Sequence, residues 1–240
     1  MVLPGIGGVG QEKLFNTSVL VVGAGGLGSA VLLYLAGAGI GKIGIVDFDK
    51  VDLSNLHRQI IHTTLDNRKL KTSSAKEKIN NINPDVKVIT FEEKLDSKNA
   101  EKIFKDFDII VDGLDNFEDK FLLNDYALKL NKKLVHGGVV GFEGQVLTII
   151  PGQSACLRCV LPDVPNDLRQ SCKDVGVLGT CVGIISTLQA NEVVKLALGI
   201  GKGLTNRVLK FNGLDSSFYE LKISDKNSNC SICSQNLFAS

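Results

Sequence analysis

Apolar residues in this chain come in short unbroken runs, separated by longer stretches with helical spacing. The run Ser18–Val22 is rich in β-branched residues and reads as a strand buried on both faces. Gly23-Ala-Gly-Gly-Leu-Gly28 follows at once, and residues 29–38 then read as an uncharged helix. Residues 42–47 make the next strand and end in Asp47. Strand, glycine turn, helix and strand form a βαβ unit with a right-handed crossover. Further strands are predicted at 86–91, 108–112, 134–136 and 145–150, with helices at 70–82, 97–104 and 117–130 between them. This alternation predicts an α/β fold, a mainly parallel sheet flanked by helices on both faces.

The pattern changes at residue 151. From 151 to 180 the chain is rich in Cys, Pro, Asp and Gly without periodicity, and reads as a long functional loop. Residues 184–198 return to helical spacing, and 207–212 with 218–223 flank a turn, as an antiparallel pair closing the sheet. No linker composition interrupts the 240 residues, so one Rossmann-like domain is expected, its nucleotide-binding part over about 14–150.

Composition narrows the function classes. With 22% charged residues and a net charge of +1, no electrostatic footprint for nucleic acid is present. The uncharged stretch 14–40 is broken by the glycine segment and reads as soluble core, so no membrane partner is expected. No cationic segment precedes an apolar one at the N-terminus, which makes the cytoplasm the expected compartment.

Two Cys-x-x-Cys pairs, Cys156/Cys159 and Cys230/Cys233, match the ligand set of a tetrahedral zinc site. Such a clamp would tie the tail, 224–236, onto the loop at 151–183. Two disulfides, or cysteines that are merely buried, are the alternatives. Cys181, where an apolar helix begins, reads as packing.

Gly23, Gly25 and Gly28, in a Gly-x-Gly-x-x-Gly turn after a strand, allow backbone to approach phosphate at a helix N-terminus. Asp47 sits where an acid holds ribose hydroxyls, which serves NAD and ATP equally. The stretch from Asp47 to Gln59 discriminates, because Asn55 and Arg58 have no task in an NAD-linked oxidoreductase. A guanidinium there reaches phosphates beyond the first, and Lys71 adds a second cation. Asp112 and Asp115 end a strand on the same sheet edge, where a carboxylate can hold Mg2+ against phosphate. Asp115 could instead cap the following helix.

The Gly-Ala-Gly-Gly-Leu-Gly turn, the Asp-Phe-Asp-x-Val-Asp-Leu-Ser-Asn-Leu-x-Arg-Gln stretch, Asp-Gly-x-Asp-Asn and the cysteine pairs occur here in one order. That set resembles the ThiF/MoeB/HesA group of the ubiquitin-activating-enzyme superfamily, over nearly the whole chain. The resemblance implies a single adenylation domain spanning 1–240. It implies ATP-dependent adenylation of the C-terminal glycine of a small ubiquitin-like sulfur-carrier protein ending in Gly-Gly, with release of pyrophosphate. The pathway would be thiamine or molybdopterin biosynthesis. Residues matching Gly26, Asp47, Ser54, Asn55, Leu56, His57, Arg58, Lys71, Asp115 and Asn116 would bind ATP and its Mg2+.

In that reaction the carrier carboxylate attacks the α-phosphate. Arg58 and Lys71 are expected to stabilise charge on the leaving pyrophosphate, and Asp115 to hold the metal. Cys172 matches the family's reactive cysteine, which some members link covalently to the carrier, whereas an inert loop cysteine is the competing reading. His136-Gly-Gly-Val-Val-Gly-Phe-Glu-Gly144 also resembles the family, and the strand that follows it would lie near the carrier tail.

Two departures from the family pattern matter. Asn67-Arg-Lys-Leu-Lys71 replaces the usual Gly-x-x-Lys, making Lys69 a rival to Lys71. The family also carries Arg-Tyr-x-Arg-Gln ahead of the segment resembling Val2–Gly7, from which an arginine crosses a homodimer to the partner's ATP; here no arginine precedes Arg58. The expectation is a homodimer that binds ATP and, in its 240-residue form, adenylates slowly. A carrier-binding protein with degenerate activity is the second reading.

Overall fold

The computed structural model describes residues 3, 6–161, 176–223 and 226–234. Its centre is one eight-stranded sheet. In chain order the elements are α1 (Gly7–Phe15), β1 (Ser18–Val22), α2 (Gly26–Ala38), β2 (Lys42–Val46), α3 (Lys71–Ile82), β3 (Lys87–Phe91), α4 (Ala100–Phe104) and β4 (Ile109–Asp112). There follow α5 (Phe117–Lys129), β5 (Lys133–Val140), β6 (Glu143–Ile149), α6 (Leu157–Val160), α7 (Gly179–Leu198), β7 (Arg207–Asn212) and β8 (Ser217–Lys222). The strand order is β3-β2-β1-β4-β5-β6-β7-β8, parallel from β3 to β5 and antiparallel from β5 to β8. The mainly parallel sheet and its antiparallel closure are as expected from the sequence.

Side chains alternate across a strand, so each strand contributes to two cores. Val19, Val21, Ile43, Ile45, Ile109 and Val111 face one way, toward α2, α3 and α7. Leu20, Val22, Val46, Ile110, Leu134 and Leu147 face the other, with Phe104, Phe121 and Leu128. Both faces are therefore covered, which explains why the strands read as continuous apolar runs.

Three elements differ from the sequence expectation. The helix α1 goes unseen in the sequence because three of its nine residues are glycine. Tertiary contact supplies what propensity lacks: Leu14 is fully buried and Lys13 Nζ donates to the Leu198 carbonyl at 3.2 Å. Strand β5 continues through Gly137-Gly138 to Val140, pairing with β6. The expected strand stops before these glycines, but a Cβ at Gly137 would lie 2.4 Å from Gln189, so the small size of Gly137 lets α7 lie directly on the strand. Helix α7 starts at Gly179, a full turn ahead of the expected 184. It is long and apolar enough to cross a bilayer, but its buried face packs on the sheet and carries Gln189 and Glu192 into the core.

Relative to β1, strands β2 and β4 lie on opposite sides. A crevice opens at the carboxyl ends of strands where such a sheet reverses its winding. The glycine turn, Asp47 and Asp115 all follow strands that end there.

Candidate functional site

The crevice is a cavity of about 530 Å³. Gly23, Gly25 and Gly26 form one wall of it, Asp47, Arg58 and Lys71 another, and Asp115 with Asn116 a third. Glu143, Gln145 and Lys210, from β6 and β7, extend it toward the antiparallel half of the sheet.

The glycine turn is fixed by close approach. Gly23 has φ of +96°, and a Cβ on Gly28 would lie 1.9 Å from the Gly23 carbonyl oxygen. Gly28 thus holds the turn against the helix and does not line the cavity. Asp47 ties the turn to β2: its Oδ2 accepts from the Ala24 N–H and its Oδ1 from the Asp49 N–H, both at 2.8 Å. Burial raises the Asp47 carboxyl above its ordinary value, against the pull of Lys71 and these two N–H groups.

Arg58 and Lys71 converge from different elements. Asp52 caps a short turn, Leu53–Asn55, and Asn55 Oδ1 accepts from Arg58 Nη2 at 2.7 Å. His57 Nε2 lies 2.7 Å from Arg58 Nη1. The start of α7 packs against this turn, since a Cβ on Gly179 would touch the His57 carbonyl. Ser54, Asn55, Leu56 and His57 accordingly shape and hold the Arg58 turn, while among these five Arg58 alone lines the cavity. Lys71, buried at the start of α3, donates to Asp49 Oδ2 at 2.8 Å. Its rival Lys69 is held by Asp66 and Glu77, at 3.2 and 3.4 Å, and is not part of the cavity wall. Of the two lysines the structure brings Lys71 to the site.

The two aspartates after β4 part company. Asn116, not Asp115, caps α5, its Oδ1 accepting from the Asp119 N–H at 2.9 Å. Asp115 is left exposed on the cavity, and no hydrogen bond or ion pair engages its carboxylate among the described residues. One such carboxylate completed by phosphate oxygens and water fits the oxygen-rich shell of Mg2+.

Asp112 corrects the sequence reading, because its carboxylate is buried and already engaged. Lys120 Nζ donates to both its oxygens at 3.0 Å and to the Gly137 carbonyl at 2.7 Å. His136 Nδ1 donates to Asp112 Oδ2 at 2.7 Å, and the Leu114 N–H to Oδ1 at 3.0 Å. Burial alone would raise the Asp112 carboxyl, but Lys120 and His136 outweigh it and hold it below the usual carboxylate range. Burial lowers His136, which stays neutral with its Nδ1–H toward Asp112. Lys120 escapes sequence reading because nothing marks a helical lysine as buried; its position one turn after the Asn116 cap is the only clue. Replacing Lys120 by Met is expected to destabilise the fold by about 3–5 kcal/mol, because it strands a buried carboxylate. It should also raise the His136 pKa by removing a neighbouring positive charge. Denaturant melts and imidazole NMR titration check the two effects.

The cysteine pairs meet away from this cavity. The Sγ atoms of Cys156, Cys159, Cys230 and Cys233 lie within 4.8 Å of one another, and none is in a disulfide. Neighbouring sulfurs are 3.8, 3.6 and 3.2 Å apart (156–159, 156–230, 159–233). A tetrahedron of sulfurs about 2.3 Å from zinc has edges of about 3.8 Å, so the donor set fits the ion. The cluster is braced on α5: Arg158 grips Asp125 through Nε and Nη2 at 2.7–3.1 Å and stacks 4.6 Å over the Phe121 ring. Asn124 Oδ1 accepts from the Leu157 N–H at 3.0 Å. Cys181 is buried, with its Sγ donating to the Phe142 carbonyl, as the packing role requires. Cys172 lies outside the described residues.

A phosphate-type glycine turn with convergent cations, on a sheet that carries a four-thiol clamp, defines a nucleotide-binding α/β protein of uncommon form. The ThiF family model matches residues 1–232, and the chain belongs to the ThiF family. It is 43% identical over 237 residues to the adenylyltransferase and sulfurtransferase MOCS3 of Aedes aegypti, covering 98% of this chain and 54% of that protein. It is 41% identical over 239 residues to the sulfur carrier protein adenylyltransferase of Thermus thermophilus, covering 97% of this chain and 88% of that one. The chain thus spans about half the length of the MOCS3 relatives and most of the Thermus protein. Among solved structures, E. coli MccB crystallised with ATP superposes with a TM-score of 0.83 at 23% identity, over 93% of this chain and 69% of that one, which shows a shared fold.

Proposed function

We propose that this chain is an adenylyltransferase that activates the C-terminal glycine carboxylate of a small ubiquitin-like sulfur-carrier protein with ATP. Membership of the ThiF family and relatives named for this activity support the reading. The observation that carries it is the convergence of the glycine turn, Asp47, Arg58, Lys71 and the Asp115 carboxylate, unpartnered among the described residues, on one cavity.

The nucleophile is already ionised, so the work falls to alignment and charge neutralisation. Helix α2 presents its N-terminal N–H groups to phosphate. Asp47 receives the ribose hydroxyls, and Arg58 and Lys71 take up charge as pyrophosphate departs. When bound, Mg2+ neutralises phosphate oxygens, and Asp115 would hold it. The tail ending in Gly-Gly would enter along β5 and β6. Four cysteines would hold zinc as a structural ion that fastens the tail.

The same reading makes the whole chain one adenylation domain that works as a cytoplasmic homodimer, supplying sulfur transfer for thiamine or molybdopterin biosynthesis. Cys172 would act after adenylation, as a covalent acceptor of the carrier.

Pyrophosphate exchange into ATP tests the proposal. Exchange is expected only when a carrier ending in Gly-Gly is added, and Cys172→Ala should leave it unchanged. Carrier binding without exchange would favour a degenerate enzyme, and tight nicotinamide binding an oxidoreductase.

A further inference from the structure

The glycine turn is the part of the cavity least able to hold its own shape. Gly23 has positive φ, and Gly25 lies at φ −84°, ψ −142°, outside the helical and strand regions. Glycine is permissive at such positions, so the turn needs external ties to stay in one conformation. Asp47 ties the Ala24 N–H. The second tie is His62, a residue that no part of the proposed chemistry uses.

His62 is buried. Its Nε2 lies 2.9 Å from the Ala24 carbonyl oxygen and its Nδ1 2.8 Å from Ser74 Oγ. A carbonyl only accepts, so Nε2 carries the proton; Nδ1 of the neutral ring then accepts from the Ser74 hydroxyl. Both nitrogens are therefore committed and the tautomer is fixed. The peptide between Ala24 and Gly25 is planar and trans, so its C=O and N–H point in opposite directions. Drawing the carbonyl into the core toward His62 turns the Gly25 N–H toward the cavity that Gly25 lines. No acceptor engages that N–H among the described residues.

The same residue meets the other two phosphate-facing elements, one through its backbone and one through its ring. The His62 backbone N–H donates to the Gln59 carbonyl at 3.1 Å, one residue beyond Arg58. Ser74 stands one turn along α3 from Lys71. His62 thus joins the glycine turn to the Lys71 helix through its ring and meets the Arg58 turn through its backbone, without itself lining the cavity.

We infer that His62 is a positioning residue for nucleotide binding, acting through the Ala24–Gly25 peptide to aim its N–H at a phosphate oxygen. The inference rests on the nucleotide reading of the cavity. Two polar variants separate it from simple packing. His62→Gln can keep a donor where Nε2 stands and lose the Ser74 contact. His62→Asn can keep the Ser74 contact and withdraw from Ala24.

Each protein would be titrated calorimetrically with MgATP and, separately, with the carrier, after thermal melts establish that it is folded. His62→Asn is expected to weaken MgATP binding about tenfold or more while carrier affinity stays within twofold, and His62→Gln to recover most of the loss. Equal MgATP affinities for the two variants, or parallel losses for MgATP and carrier, would overturn the inference. If His62→Asn does not fold, Ser74→Ala replaces it. That change removes the partner that holds Nδ1 and so loosens the ring's orientation toward Ala24; it is expected to weaken MgATP binding about threefold, and unchanged binding would overturn the inference. Wild-type protein that binds no MgATP would instead overturn the nucleotide reading itself.

Discussion

Cys230→Ser is expected to abolish zinc binding at the four-cysteine cluster and lower the chain's thermal stability. The cluster joins residues far apart in sequence, with Cys156 and Cys159 at α6 and Cys230 and Cys233 in the tail. A link that closes so long a loop restricts the unfolded chain strongly, and losing one typically costs about 2–5 kcal/mol. Among the described residues of the tail, few groups beyond the cysteines are buried, with Ile223 and Ile232 only partly covered, so apolar contact there does little to make up the difference. Burial also keeps the Cys156 thiol far above its ordinary value, and it pushes Cys233 up to about 12. A bound cation makes four thiolates compatible with one small site. Metal analysis of reduced, chelator-free protein should find one zinc per chain in wild type and in Cys172→Ser, and none in Cys230→Ser. Wild-type protein without zinc would contradict this account.

Asp115→Ala and Arg58→Ala are expected to have the largest effects on turnover, each slowing adenylation by about 10²–10³-fold or more. Asp115 is exposed on the cavity and carries no structural bond among the described residues, so its loss should leave the melting temperature unchanged. Arg58 is held by Asn55 and His57, which fixes the guanidinium in the cavity wall before any nucleotide arrives. A pre-placed cation stabilises developing charge without reorganising, so its removal should act on the rate more than on ATP affinity. Full exchange in either variant would show that other residues carry these roles.

Much of this architecture is legible in the sequence because local signals and burial agree. The runs at β1, β2 and β4 are apolar on both faces since helices cover both, and that makes them conspicuous. The glycine turn, Asp47, Arg58, Lys71 and Asp115 are legible as a set, and the folded chain brings them to one cavity. What escapes is decided by tertiary contact. Gly137 looks like a strand end until α7 is seen to lie on it. Asp112 looks like a metal ligand until Lys120 and His136 are found beside it, a partnership that no spacing rule encodes. His62 shares that fate, because a histidine that ties a backbone carbonyl resembles any other buried histidine until its partners are known.

The central claim is that the cavity joins AMP to the C-terminal carboxylate of a sulfur-carrier protein. Intact-mass spectrometry of a carrier ending in Gly-Gly, incubated with this protein and MgATP, tests it most directly. The account predicts a carrier heavier by one adenylyl group, formed with release of pyrophosphate, absent without ATP and formed far more slowly with Asp115→Ala. An unmodified carrier in the presence of folded, ATP-bound wild-type protein would contradict it.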